Sequence, residues 1–217
     1  MPTSHLEIEG HSIVFVGSLN PVIFQPSWFA HQGLIREEEA EQANIEIIRR
    51  EVVSYSVDKF RIEVLPERFL LGTAQPAFYE PLRDLAIGTF RILRHTPLSK
   101  MGINRDFHYK IESEEFWHAI GDKLAPKGIW SDVLQKPGLK GLTMQGQRPD
   151  ELQGAVFVRV EPSTRVHPGI LININDHYDL NPEEQDAGAE RIITLLERSW
   201  TSSIERSASI AQKIVEF

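Results

Sequence analysis

Hydrophobic and polar positions alternate along several short segments of the chain, which is typical of β-strands with one face in water. The clearest alternation covers residues 60–64, and Pro66 and Glu67 then form a turn into a second β-rich segment at residues 68–73. A hairpin is therefore predicted here. The other segments predicted as strands are residues 12–19, 52–56, 101–111, 142–147, 155–161 and 169–176.

A period of 3.6 residues marks the predicted helices. Residues 77–94 carry apolar side chains on one face, and Ser113 is the predicted N-cap of a second helix. Asn181 and Pro182, followed by two glutamates, predict the start of a long C-terminal helix. The hydroxyl residues at 201–203 could bend or break that helix, because their side chains compete for backbone hydrogen bonds.

The order of these elements repeats along the chain: strand, helix, three strands, helix. We therefore predict an α+β fold with a mostly antiparallel sheet covered by helices, a long C-terminal helix and a single compact domain over residues 1–217. Residues 12–96 and 101–217 could be two fused β-α-β-β-β-α halves related by a pseudo-twofold axis. Chance recurrence of a common motif is the alternative, because the halves share element order and not aligned residues.

Composition and charge exclude several classes of function. The 217 residues include no cysteine, which removes disulfides, cysteine zinc sites, thiolate nucleophiles and iron–sulfur clusters. The formal net charge of −8 disfavours nucleic acid as a partner. The first residues are polar and acidic, and no apolar run approaches the length of a membrane span, so we expect a cytoplasmic protein without membrane contact.

Polar side chains share one face of two predicted strands, residues 101–111 and 169–176. The candidate ligand-binding residues on this face are Asn104, Asp106, His108, Asn173, Asn175 and His177. If the two strands are neighbours, these groups would meet in one polar site, since histidine with carboxylate suits acid–base chemistry and metal ligation. The alternative is the solvated face of a two-layer sheet.

No catalytic residue, metal or cofactor can be assigned from motifs. The sequence contains no Gly-x-Ser-x-Gly nucleophile turn and no His-x-x-x-His pair. It also lacks a glycine-rich phosphate loop followed by lysine and serine or threonine. Trp117, Trp130 and Trp200 are predicted to anchor the core or an interface.

Three segments carry a resemblance to known proteins: the hairpin at residues 60–71, the strand opening at 102–105 and the closing helix at 195–200. Through them the chain resembles a broad, functionally uncharacterised bacterial family of similar length. The resemblance covers nearly the whole chain in element order, and residues 126–141 depart from it. It implies an α+β accessory protein and no catalytic residue, since the family's activity is not established.

Two functions remain open on this basis, and the first is favoured. The first is a non-catalytic binding or accessory protein that acts through protein–protein contacts, as a homo-oligomer or as a subunit of a bacterial complex. Its long C-terminal helix is a natural docking element. The second is a small-molecule binding module or hydrolase-like enzyme, whose polar Asn/Asp/His site would lie at the junction of the two halves.

Overall fold

The computed structural model describes residues 4–180 and 188–216, in which nine strands form one antiparallel sheet. The strands are β1 (Ser4–Gly17), β2 (Asn44–Arg49), β3 (Val52–Val57), β4 (Phe60–Leu65), β5 (Arg68–Thr73), β6 (Leu98–Ile111), β7 (Leu142–Gln147), β8 (Gly154–Pro162) and β9 (Gly169–Asp179). In space they follow the order β2-β3-β4-β5-β1-β6-β9-β8-β7. The long strands β1 and β6 therefore pair at the centre, and β2 and β7 form the two free edges.

Six α-helices accompany the sheet in the described residues. They are α1 (Pro26–His31), α2 (Glu37–Glu41), α3 (Tyr79–Ile92), α4 (Glu114–Leu124), α5 (Gly128–Ser131) and α6 (Ala189–Val215). Helices α3, α4 and α6 contact the strands from one side, so the sheet has a helix-covered face and an open face. The predicted α+β class, antiparallel sheet and long C-terminal helix are confirmed.

Alternation within the strands creates the core. On β1, Ile13 and Phe15 point to the helix-covered face and are fully buried against α3 and α6. The Phe15 ring lies edge-on to Phe90 of α3 at 4.9 Å between centroids. Burying one such side chain stabilises the fold by about 1.5–3 kcal/mol. A second apolar cluster lies under α4 and the end of α6, around Phe107, Ile172 and Ala211.

Strand β2 was not predicted, because its pattern does not alternate. A register shift between Ile45 and Ile47 forms a bulge against β3, so two consecutive isoleucines follow the bulge. A bulge inserts one extra residue and shifts the side-chain period. Residues 12–96 consequently contribute to five strands, and residues 101–217 contribute to four. The duplication about a pseudo-twofold axis stays a prediction.

Helix boundaries agree with the sequence in most places. Ser113 caps α4 as predicted, since its Oγ accepts a hydrogen bond from the Phe116 amide at 3.1 Å. The predicted start at Asn181 and Pro182 lies outside the described residues. Helix α6 runs from Ala189 to Val215 without interruption, so the break considered at residues 201–203 does not occur.

Candidate functional site

Strands β6 and β9, which carry the six predicted ligand-binding residues, are neighbours in the sheet. Asn104 lies directly opposite Asn175, and Asp106 lies opposite Asn173. The two histidines lie opposite other residues in the same register: His108 is opposite Leu171, and His177 is opposite Gly102. The structure thus brings all six onto one region of the open face. Ligand binding by them stays a prediction.

Within this polar region one hydrogen bond joins two of the six residues, both histidines contact residues outside the six, and Asn175 Oδ1 is buried without a hydrogen-bond partner. The Asn173 amide donates a hydrogen bond to Asp106 Oδ1 at 2.7 Å, and His108 Nδ1 lies 2.8 Å from Ser163 Oγ. His177 Nε2 lies 3.3 Å from Asp179 Oδ1. Burial is the largest cause that lowers the pKa of His108, and the positive charge of Arg165 lowers it further.

Five of the clefts among residues 4–180 and 188–216 are lined by residues other than these six. Small-molecule sites usually bury most of the ligand surface in a concave pocket. Among residues 4–180 and 188–216, no group of three or more His, Asp or Glu side chains is placed to hold a metal ion.

A buried ion pair crosses the opposite, helix-covered face, and the sequence analysis missed it. Arg105 is 6% exposed and donates to Glu9 Oε2 at 2.7 Å and to the Ile204 carbonyl of α6 at 3.3 Å. Its guanidinium also lies 4.5 Å from the Phe107 ring centroid. One feature of the sequence indicates a buried cation here: Arg105 lies between the apolar residues Ile103 and Phe107 on one face of β6.

A second buried network lies beside it, centred on Asp176 of β9. Arg148, just after β7, and Arg206 of α6 both bond to the Asp176 carboxylate. Both arginines also reach Asp150, at 2.6 and 3.2 Å. Burial alone would raise the pKa of Asp150, but its bonds to Arg148 and the charges of both arginines lower it overall.

These charges lie between the two apolar clusters and attach α6 to the sheet. The described clefts do not reach Arg105 or Asp176. Each buried cation has a carboxylate partner, which is the condition under which buried charge is tolerated. We therefore assign both networks to the positioning of α6 on the sheet.

The described surface has one concentration of exposed apolar side chains, around α5 and β7. Nine large hydrophobic residues in the described ranges are exposed, and five of them fall within a 16-residue stretch of sequence. They are Ile129, Trp130, Val133, Leu134 and Met144. We refer to these five side chains together with strand β7 as the β7 edge surface. Apolar groups concentrated in this way mark interaction sites.

Local helical geometry aligns the first four of these side chains. The Val133 and Leu134 amides both bond to the Trp130 carbonyl, at 3.1 and 2.8 Å, so the helical path continues past Ser131. The spacing places Ile129 beside Val133 and Trp130 beside Leu134, one helical turn apart. Trp130, predicted as a core or interface anchor, is 47% exposed and therefore is not a core residue.

A cleft of about 330 Å³ connects this helical segment to β7. Trp130, Leu134 and Leu139 line it from the α5 side, and Leu142 lines it from the start of β7. Met144 lies on the same face of β7 as Leu142, because side chains two residues apart share a face. The helical segment and the start of β7 therefore border one cleft, which lies on the same face of β7 as Met144.

The two free edges of the sheet differ in how they are protected. Edge strands usually carry charges, prolines or bulges that prevent further pairing. Strand β2 has a bulge at Ile45/Ile47 and an ion pair between Glu46 and Arg61. Strand β7 contains no charged residue and no proline, and its pairing with β8 is regular. Among the described residues, no strand pairs with the outer edge of β7.

Comparison with known proteins identifies no family for this chain. No protein-family model matches the chain, and no curated protein matches it either. The resemblance to an uncharacterised bacterial family stays a prediction. Among the described helices, none combines the length and the apolar character that a membrane crossing requires.

Proposed function

We propose that this chain is a non-catalytic binding protein whose partner is another protein chain, held at the β7 edge surface. The observation that supports this most strongly is the coincidence of an unprotected strand edge with exposed apolar side chains. The strand offers backbone donors and acceptors, and the side chains offer apolar area. Recognition by strand addition uses both, with main-chain hydrogen bonds for affinity and side-chain pockets for specificity.

The size of the surface fits a protein partner better than a small ligand. Trp130 and Leu134 line the cleft between α5 and β7, whereas Ile129, Val133 and Met144 are exposed outside its lining. Aromatic residues and methionine are enriched in interface cores, while acidic residues are depleted there. Trp130 and Met144 match this composition, and Asp132 is the only acidic residue between positions 125 and 147.

Site-directed photo-crosslinking in the native cell tests the proposal. Val133, which is 71% exposed within the β7 edge surface, would be replaced by p-benzoylphenylalanine. Val22 is the matched control, because it is a 40% exposed valine near α1, in the other half of the chain. We expect ultraviolet light to produce a discrete protein adduct from position 133 and none from position 22.

Two results would contradict the proposal. One is the absence of any protein adduct from position 133 while the chain is folded and expressed at its normal level. The other is an adduct pattern at position 133 that is no stronger or more discrete than the pattern at position 22. Either result would mean that the β7 edge surface is exposed without being a binding surface.

A further inference from the structure

We propose that the occupant of the β7 edge surface is a second copy of this chain, joined by antiparallel pairing of the two β7 strands about a twofold axis. This inference rests on the proposed function and names its partner. The two nine-stranded sheets would become one continuous sheet, with α5 of both copies on the same side. In a symmetric interface of this kind the same patch must be complementary to itself.

The charge pattern of β7 satisfies self-complementarity. In such a pair the residues near the axis lie close to their own copies, so a charge there would place like charges close together, which is destabilising. The sequence of β7 is Leu-Thr-Met-Gln-Gly-Gln, without a single charge, although the chain carries a net charge of −8. The other edge, β2, contains Glu46 and Arg49 and a bulge.

The alternation of side chains limits the register. Residues that face each other across a continuous sheet must point to the same face, so Gln145 can lie opposite Gln145 of the second copy but not opposite Met144. With Gln145 at the axis, Thr143 faces Gln147 and Met144 faces Gly146 of the other copy. All these pairs are neutral, and two of them, Thr143 with Gln147 and Gln145 with its own copy, can exchange side-chain hydrogen bonds.

The space at Gly146 suits this register. A Cβ added to Gly146 would have only the Val156 carbonyl oxygen nearby, at 4.0 Å, so the space beside this residue is free. Met144 is 59% exposed and has a long, flexible side chain. A methionine opposite a glycine fills the gap that the missing side chain leaves. This pairing occurs twice, once on each side of the axis.

The first experiment measures mass by sedimentation equilibrium over a dilution series of the purified full chain. We expect a reversible dimer with twice the 24.8 kDa chain mass. Met144→Lys should raise the dimer dissociation constant roughly a hundredfold, since symmetry places each substitution in the interface twice. Ile45→Lys is the matched control, because Ile45 is 53% exposed on the other edge strand, and it should leave the constant unchanged.

The second experiment tests the register with cysteine, which the natural chain lacks. Under mild oxidation, Gln145→Cys should form a disulfide-linked dimer rapidly, because directly opposite residues bring their Cβ atoms within reach of a disulfide. Gln147→Cys should link much more slowly, since its own copy would lie several residues away. Equal rates for the two variants would overturn the register.

The outcomes separate this inference from the proposed function. A purified chain that stays monomeric at all concentrations overturns self-pairing, and so does a Met144→Lys variant that dimerises as tightly as Ile45→Lys. If position 133 then crosslinks to a different protein in the cell, the proposed function stands with another occupant. Lys136 and Lys140, both exposed beside the surface, would suit a partner with acidic groups at its rim.

Discussion

Replacing His11 by phenylalanine should remove part of the protein's sensitivity to acid. The His11 ring is 3% exposed, stacks on Trp200 with 4.7 Å between centroids and contacts Tyr79 edge-on. Neither ring nitrogen has a hydrogen-bond partner. Burial, and then the charge of Arg105, lower the pKa of His11 from its ordinary value of 6.5 to about 3. As the pH falls, His11 is therefore protonated in the unfolded chain before it is protonated in the native one.

The sign and size of the effect follow from this difference in pKa. Well above pH 6.5, His11 is neutral in both states and its contribution to stability is complete. As the pH falls towards 3, the unfolded state binds a proton that the native state does not, and stability is lost. At pH 5 the loss is about 2 kcal/mol, and it stays near this value for any native pKa below about 4. At still lower pH the loss approaches about 5 kcal/mol.

Urea unfolding at about pH 8 and about pH 5, followed by tryptophan fluorescence, measures this loss. Between the two conditions, the free energy of unfolding of the wild type should fall by about 2 kcal/mol more than that of His11→Phe. Phenylalanine keeps the aromatic contact with Trp200 and cannot titrate. His31→Phe, at an exposed histidine, should retain the wild-type dependence. Equal losses in the wild type and His11→Phe would refute the reasoning.

Two further substitutions test the packing by urea unfolding near neutral pH. Asp176→Asn should cost about 3 kcal/mol, because it removes the buried charge that Arg148 and the half-buried Arg206 share. Asp122→Asn, at an exposed ion pair, should cost less than about 1 kcal/mol. Gly154→Ala should cost more than about 2 kcal/mol, since φ is +130° and an added Cβ would lie 2.1 Å from the His177 carbonyl oxygen. Gly138→Ala, with open space around it, should be nearly neutral.

The predictable part of the fold is the part that local pattern determines. The alternation at residues 60–64 and the turn at Pro66 identify the β4–β5 hairpin without knowledge of the rest of the chain. The polar face shared by Asn104 and Asn175 was also visible, because alternation alone assigns side chains to faces. Strand β2 escaped detection because the bulge after Ile45 interrupts its period.

The surface and the buried charges depend on which strands are neighbours, and local pattern does not contain that information. Arg105 on an apolar face signals a buried cation, but its partner Glu9 is 96 residues away in sequence. Trp130 fits a core or an interface equally well until the strand order places β7 at a free edge. The candidate binding surface therefore emerged only once the sheet was assembled.

Amide hydrogen exchange of β7 tests the central claim, that this edge accepts a further strand from a second copy. Outward-facing amides of an uncovered edge exchange rapidly, and pairing protects them. The measurement compares β7 with β2 in the same purified protein over a dilution series. We predict that protection of the amides of residues 142–147 rises with protein concentration, while protection of residues 44–49 stays unchanged. Rapid exchange of β7 at every concentration would contradict it.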